Sequence, residues 1–178
     1  MAELTIRPDE IRDALAQFVE EYEPAGVARD QLRQELSDLA NLVNQLLHFA
    51  QAEDAMSRQR DAVDIVGSAR KVCEDLAGAA FNMEKQIEFD APGDRVIVSG
   101  HPALIDVAIR NIVDNAIKMS PAHSTVSVSV DTGHKVIIED RGPGVPDAQK
   151  KLIFERFWRA DGHHGPGSGI GLALVRRI

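Results

Sequence analysis

The chain has 178 residues, and its 28 acidic and 20 basic side chains give a formal net charge of −8 at pH 7. This balance argues against a nucleic-acid partner. No apolar run approaches the roughly 20 residues that span a bilayer, and no signal peptide is visible, so we expect no membrane segment in this chain. A hydrophobic content of 44% is enough for one substantial core and a smaller appendage.

The first predicted element is a helix within residues 1–26. Its apolar residues recur at spacings of four and three, which is the period of a helix that packs one face. The run then ends at a proline and a glycine, which stop helices. The residues concerned are Ile11, Leu15, Phe18, Tyr22, Pro24 and Gly26.

A second helix is predicted over residues 27–58, and a heptad seam along it indicates pairing with another helix. The seam consists of Leu32, Leu36, Leu39, Val43, Leu46 and Ala50, widened by Leu42, Leu47 and Phe49. The two helices together suggest an antiparallel hairpin that pairs with a second copy as a four-helix bundle, so that the chain is a homodimer through residues 28–56. The alternative is that both helices dock on the chain's own core.

The remaining residues, 59–178, are predicted to form one domain of helices and strands. A helical pattern around VCEDLAGAA contains Cys73, the only cysteine, which we interpret as a small core residue in a reducing compartment. Strands are expected near residues 86–90, 95–99, 125–131 and 135–140. In TVSVSVD the alternation of Val126, Val128 and Val130 predicts a sheet covered by helices on a single side.

The motif NIVDNAIK spans residues 111–118 and is predicted to lie on a helix. At about 100° per residue its polar side chains share one narrow face: Asn111, Asp114, Asn115 and Lys118. The opposite face is apolar: Ile105, Ile109, Ile112, Val113 and Ala116. A carboxamide oxygen suits a cation that takes only one or two protein ligands, and a lysine one turn on can reach a phosphate. A merely solvated polar face is the alternative for this motif alone.

The motif DRGPG spans residues 140–144 and follows KVIIED, which is predicted to be a buried strand. Gly142 and Gly144 flank a proline in a tight turn, so a flat ring could approach the backbone closely. The carboxylate of Asp140 only accepts hydrogen bonds, which matches the exocyclic amine of adenine. The alternative is a surface turn in which Asp140 is a local cap.

The motif GPGSGIGLALV spans residues 165–175 and leads into an apolar helical run. Its successive backbone amides before a helix form a cradle for phosphates, whereas a flexible linker would not open a helix. The motif contains Gly165, Gly167, Ser168, Gly169, Gly171 and Leu172. Between it and DRGPG lie Phe154, Phe157 and Trp158, which we interpret as an aromatic anchor before a mobile lid, or as a helical packing face.

Four motifs in this order, NIVDNAIK, DRGPG, IFERFWR and GSGIGL, resemble the catalytic ATP-binding domain of sensor histidine kinases, within the gyrase, Hsp90, histidine kinase and MutL superfamily. The resemblance implies an α+β fold, a two-layer α/β sandwich of the Bergerat type, preceded by a helical hairpin. It implies ATP and Mg²⁺ as ligands and a cytoplasmic location, although a parent kinase of this family can be membrane-anchored. It also implies a response regulator as partner.

The resemblance also assigns roles to residues of the motifs. Asn115, with Asn111, would bind magnesium, Lys118 would meet the phosphates, and Asp140 would read adenine. The pocket would be shaped by Gly142, Gly144, Phe154, Phe157, Gly167, Ser168, Gly169, Gly171 and Leu172. ATPase members of the superfamily have a glutamate one turn before the metal-binding asparagine, where this chain has Asn111, so the site lacks an evident general base and fits the kinase branch better.

The N-terminal segment departs from the family pattern. DLANLVNQLLHFAQAED (38–54) resembles the second helix of the family's dimerisation hairpin, but no histidine stands between Met1 and Gln31, where the phosphate-accepting helix would lie. Residues 1–24 instead resemble the amino terminus of the alpha subunit of bacterial F-type ATP synthase, which suggests a chimera, natural or engineered. We interpret His48 as a packing residue rather than an unusual acceptor. His163 and His164 are interpreted as exposed loop residues rather than metal ligands.

The C-terminal end also differs from the family pattern. Family members continue past this point with a Gly-Gly turn and two more strands, so we expect a sheet without those strands and with an unpaired edge. Three functions remain open: the catalytic part of a histidine kinase, which transfers the γ-phosphoryl group of ATP to a histidine that this chain lacks; a non-catalytic ATP-binding or dimerisation module; and an ATPase of the gyrase or MutL type.

Overall fold

The computed structural model of the chain describes residues 60–160 and 169–178. Their helices and strands are β1 Asp61–Asp64, α1 Ile65–Asn82, β2 Gln86–Asp90, β3 Ile97–Gly100, α2 Pro102–Met119, β4 Thr125–Val130, β5 Val136–Glu139 and α3 Gly171–Arg177. A 3-10 turn, Leu152–Phe154, precedes α3. The predicted helices at 1–26 and 27–58, and the positions Gly167, Ser168, His163 and His164, lie outside the described residues.

The strands form two small sheets. In the larger one β4 is central: it pairs in parallel with β2 and antiparallel with β5, so that Val128 faces Phe89 on one side and Ile138 on the other. In the smaller one β1 and β3 pair antiparallel, with Val63 opposite Val98. The parallel pairing of β2 and β4 requires a crossover connection, which runs through β3 and α2.

The core lies between the larger sheet and the first two helices. Val126, Val128 and Val130 on β4 are almost fully buried and alternate with half-buried hydroxyl residues. Both helices contribute their apolar faces to the same cluster: Val66, Ala69, Val72 and Cys73 from α1, and Ile109, Val113, Ala116 and Ile117 from α2. The predicted two-layer sandwich, with its sheet covered on one side, is therefore confirmed.

Asp64 fixes the junction of β1, α1 and β3. Its Oδ1 accepts hydrogen bonds at 3.2 Å from the amides of Val66 and Val96, and the bond from Val66 makes Asp64 the N-cap of α1. Burial raises the pKa of this carboxyl, but the bonds from Val96, Gly67 and Val66 and the nearby Arg95 charge outweigh burial and lower it. The ionised carboxylate thus holds the start of α1 against the strand that leads to α2.

The structure differs from the sequence prediction in several details. The strand at KVIIED, predicted to be buried, is β5 at the edge of its sheet, where Ile137 is 42% exposed. The strand expected over residues 95–99 begins at Ile97, and the strand β1 was not predicted at all. On α2, Ile105 and Ile112 are only partly buried, whereas Ile117 is 2% exposed. The buried face of this helix therefore includes Ile117, which the sequence analysis did not place on it.

Candidate nucleotide-binding site

The polar face of α2 is the centre of the candidate site. Asn111 and Asn115 are half-buried, and Lys118 is exposed, so the structure brings the predicted row to one side of the helix. The Asn111 Nδ2 donates to the Val107 carbonyl at 2.8 Å, which leaves its Oδ1 as the free end of the carboxamide. The Lys118 Nζ lies 2.6 Å from the Asp114 Oδ2, an ion pair within the helix.

The second part of the site is the start of α3. Leu174 is fully buried and packs with Leu104 and Val107, which fixes α3 against the first half of α2. This contact places Gly171 directly against Asn111: a β-carbon at residue 171 would be 2.5 Å from Oδ1. There is no room for a side chain at this contact, so the close approach of α3 to α2 requires a glycine. Leu172 is half-buried beside it.

Gly169 joins the glycine motif to the aromatic motif. Its carbonyl accepts a hydrogen bond from the Phe157 amide at 3.0 Å, so the two ends of the intervening segment are held together. The φ of Gly169 is +70°, and a β-carbon there would lie 2.8 Å from the Phe157 backbone. Both the conformation and the close approach require a glycine at this position.

The aromatic residues do not form a helical packing face. Phe154 lies in the 3-10 turn that contacts α3, and it is half-buried, as is Trp158. Phe157 has a φ of +64° and is 64% exposed. The interpretation of all three as an anchor therefore holds for two of them only, and the ring of Phe157 is presented to solvent.

The third part of the site is the DRGPG turn. The Asp140 Oδ1 accepts a hydrogen bond from the Gly142 amide at 2.7 Å, which is the local cap foreseen as the alternative role of this residue. A β-carbon on Gly142 would lie 2.9 Å from the Met119 carbonyl at the end of α2. Gly144 has a φ of +74° with open space around it, so its requirement is conformational. Asp140 itself is exposed and keeps a second carboxylate oxygen for another donor.

These contacts bring three motifs onto one helix. The glycine motif meets α2 at Asn111, and the DRGPG turn meets it at Met119, on either side of Asn115. Within the described residues no group of three or more His, Cys, Asp or Glu could hold a metal ion. The carboxamide oxygens of Asn111 and Asn115 are donors of the hard type that Mg²⁺ prefers.

Two residues at the end of α2 escaped the sequence reasoning. Lys85 is 7% exposed and its Nζ donates to the Ile117 carbonyl at 2.5 Å. Ser120 is 4% exposed and its Oγ accepts from the Arg141 amide at 3.3 Å. Both contacts join residues more than twenty positions apart, and periodicity carries no signal for them.

Residues 100–178 match the sequence model of the family described as histidine kinase-, DNA gyrase B- and HSP90-like ATPase. None of the helices in the described ranges is long and apolar enough to cross a membrane.

Curated relatives include sensor proteins of several bacteria. The chain is 34% identical over 163 residues to the signal transduction histidine-protein kinase/phosphatase MprB of Mycolicibacterium smegmatis, covering 89% of this chain and 32% of the relative. It is 30% identical over 169 residues to the swarming motility regulation sensor protein RssA of Serratia marcescens, covering 92% and 36%. The chain thus spans about a third of the length of these relatives. They do not support the resemblance of residues 1–24 to an ATP synthase subunit, which stays a prediction.

Solved structures give the same assignment. The mycobacterial sensor histidine kinase MprB matches with a TM-score of 0.57 and 29% identity, over 66% of this chain and 76% of that one. Full-length ShkA, solved in complex with AMPPNP, matches with a TM-score of 0.67 and 25% identity, over 97% of this chain and 40% of that one. With the motifs and the fold described above, these matches show that the chain contains the ATP-binding domain of a sensor histidine kinase.

Proposed function

We propose that this chain binds Mg²⁺-ATP at the polar face of α2 and transfers the γ-phosphoryl group to a histidine of another protein or segment. The observation that carries the proposal is the meeting of three motifs on α2, at Asn111 and at Met119. ShkA, one of the similar structures, was solved with AMPPNP. The relatives are named as sensors or histidine kinases.

The residues of α2 would hold the metal and the phosphates. Asn115, with the free Oδ1 of Asn111, would bind Mg²⁺, which supplies positive charge to the phosphate oxygens. In this structure the exposed ammonium of Lys118 pairs with the Asp114 carboxylate. On nucleotide binding it would leave this carboxylate and pair with a phosphate. Since this pair is more than a third exposed, breaking it costs little.

The turns on either side would hold the rest of the nucleotide. The carboxylate of Asp140 would accept a hydrogen bond from the adenine amine while its other oxygen caps Gly142. Gly142 and Gly144 would keep side chains away from the ring, and the glycine motif, with Gly167, Gly169 and Gly171, would offer backbone amides to the phosphates. The remaining pocket residues would be Phe154, Phe157, Ser168 and Leu172.

Transfer rather than hydrolysis follows from the chemistry at residue 111. Hydrolysis needs a base that takes a proton from water, and Asn111 has no basic atom at neutral pH. Its carboxamide is already hydrogen-bonded to its own helix through Nδ2. The same position suits a metal ligand, so we favour the kinase over the ATPase of the gyrase or MutL type.

The wider setting of the domain is also a proposal. We expect a cytoplasmic location, a homodimer through residues 28–56 and a response regulator that receives the phosphoryl group. These expectations rest on the relatives and on the heptad seam.

Isothermal titration with a non-hydrolysable ATP analogue, with and without Mg²⁺, tests the proposal. The wild-type chain should bind, and Mg²⁺ should tighten binding. Asn115→Ala should remove the effect of Mg²⁺ while leaving binding of metal-free ADP less affected. Asn82→Ala, an exposed asparagine at the end of α1, is the matched control and should behave as wild type.

Other results would point elsewhere. Equal losses with and without Mg²⁺ in Asn115→Ala would mean damage to α2 rather than loss of a metal ligand. No binding by the wild-type chain would leave a non-catalytic dimerisation module. If the chain binds, a separate protein with an intact acceptor helix and γ-labelled ATP shows whether the phosphoryl group moves to histidine.

A further inference from the structure

The C-terminal end of α2 contains an unusual concentration of buried polar groups. Across the ranges that the structure describes, the buried polar or charged side chains are Lys85 and Ser120. Both bind this one end of α2 or the turn beside it, through the Ile117 carbonyl and the Arg141 amide. Buried polar side chains are retained where their hydrogen bonds hold a specific geometry.

Lys85 stabilises the C-terminal end of α2. Its ammonium lies at the C-terminus of the helix, where carbonyl groups without helical partners carry partial negative charge. Ser120 has a different role. Its own amide closes the helix by donating to the Ala116 carbonyl at 3.0 Å, which leaves its side chain free to bond elsewhere.

The side chain of Ser120 reaches across to the turn after β5. Its Oγ accepts from the Arg141 amide, and Arg141 lies between Asp140 and Gly142 in sequence. On either side of that bond, the Asp140 carboxylate accepts from the Gly142 amide, and Gly142 lies so close to α2 that a β-carbon there would be 2.9 Å from the Met119 carbonyl. The turn is thus bonded to the end of α2 at Arg141 and passes close to it at Gly142, with Asp140 immediately before them.

We propose that Ser120 is a positioning residue that sets Asp140 relative to Asn115 on α2, and so determines how strongly the site prefers adenine. This inference rests on the proposed function. Gly142 has no side chain to keep the turn away from the Met119 carbonyl, and the Ser120 bond joins the turn to α2 at this close approach. Without the bond the turn can move away from α2, and the carboxylate no longer meets the ring edge, while Mg²⁺ remains on Asn115 and the phosphates remain on Lys118.

The test compares ATP with inosine triphosphate, which has an oxygen where adenine has its amine. Ser120→Ala should weaken binding of Mg²⁺-ATP by roughly three- to tenfold, the range expected for one hydrogen bond, and leave inosine triphosphate nearly unchanged. Ser120→Thr keeps the hydroxyl and should restore the preference. Ser124→Ala is the matched control, because this hydroxyl donates to the Pro121 carbonyl at 2.6 Å in the same connection and does not touch the Asp140 turn.

The ratio of the two affinities separates positioning from general damage. A fold defect lowers binding of both nucleotides together, whereas misplacement of Asp140 lowers the ratio. If Ser120→Ala does not fold by circular dichroism, Ser120→Cys keeps the side-chain volume with a weaker acceptor and should give the same fall in ratio. An unchanged ratio in a folded variant overturns the inference alone. Failure of the wild-type chain to bind ATP overturns the proposed function and this inference with it.

Discussion

The carboxamide of Asn111 lies so close to Gly171 that a β-carbon at residue 171 would be 2.5 Å from its Oδ1. In Gly171→Ala the amide must therefore rotate and lose its 2.8 Å bond to the Val107 carbonyl, or α3 must shift. We expect binding of Mg²⁺-ATP to weaken by about tenfold or more, since one interaction with a charged group contributes about 1.5–3 kcal/mol. Titration calorimetry in the presence of Mg²⁺ measures this.

The control for that substitution is Gly78→Ala. Gly78 lies on the exposed side of α1, where a β-carbon would meet nothing within 4 Å. Nucleotide binding should be unchanged, and thermal stability should rise by up to about 1 kcal/mol because alanine favours a helix. Wild-type affinity in Gly171→Ala would show that Asn111 does not depend on this contact.

Replacing Asp140 should weaken nucleotide binding even when the turn is preserved. Asp140→Ala should reduce ATP affinity by about ten- to a hundredfold. Asp140→Asn can still cap Gly142, but it then presents an NH₂ group to the adenine amine, so we expect a similar loss. ATP affinity equal to wild type in Asp140→Asn would reduce this residue to a local cap.

Asp64 should stabilise the fold in a pH-dependent manner. Asp64→Ala removes a helix cap and the bond to Val96, which costs about 1–2 kcal/mol in urea unfolding at pH 7. Because the pKa of Asp64 is lowered in the folded state, its contribution is present above the ordinary carboxyl pKa of about 3.9. It is lost as the pH falls through the folded value, so the difference between wild type and variant should shrink in acid. Asp61→Ala is the control, because Asp61 is exposed. If the unfolding free energies of wild type and Asp64→Ala differ by the same amount at every pH, the assignment is contradicted.

Cys73 should be inert in the folded protein. Burial, with a smaller effect from Glu74, raises the pKa of this thiol to about 11, and the side chain is 6% exposed. A thiol reagent at pH 8 should react with one equivalent only after denaturant is added, because the thiolate is the reactive form. Rapid reaction without denaturant would mean that α1 opens readily from the sheet.

The chain should not phosphorylate itself on a histidine. Residues 1–31, where the family resemblance places the acceptor, contain no histidine, and phosphoryl transfer depends on holding the attacking nitrogen in line with the γ-phosphate. Incubation with γ-labelled ATP and tests of acid and base stability measure this. An acid-labile, base-stable label that disappears in His48→Ala would contradict the prediction.

The period of the hydrophobic pattern predicts the helices and strands that bury one face. The valines of β4 alternate over six residues, and α2 has a polar face opposite an apolar one. The sequence therefore predicts these two elements without knowledge of the elements they pack against. β1 was missed because four residues with one buried side chain give no alternation. The motifs identified the elements of the candidate site, but not the contacts between them.

The contacts within the candidate site join residues that are distant in the sequence. Ser120 and Arg141 belong to different elements, and an isolated serine after a helix has many ordinary roles. Lys85 reads as a surface residue, because lysines are rarely buried without a partner. The local cap at Asp140 was foreseen, since an aspartate two residues before a glycine commonly closes such a turn.

The parallel pairing of β2 and β4 also sets an order of assembly. β4 is the central strand of its sheet, yet it follows α1, β2 and α2 in the chain. As the chain leaves the ribosome, the apolar face of α1 has no sheet to cover until residues 125–130 have been made. The helices of the first half can therefore bury their apolar faces only after β4 has been made. A substitution that weakens β4 exposes the apolar faces of α1 and α2 together.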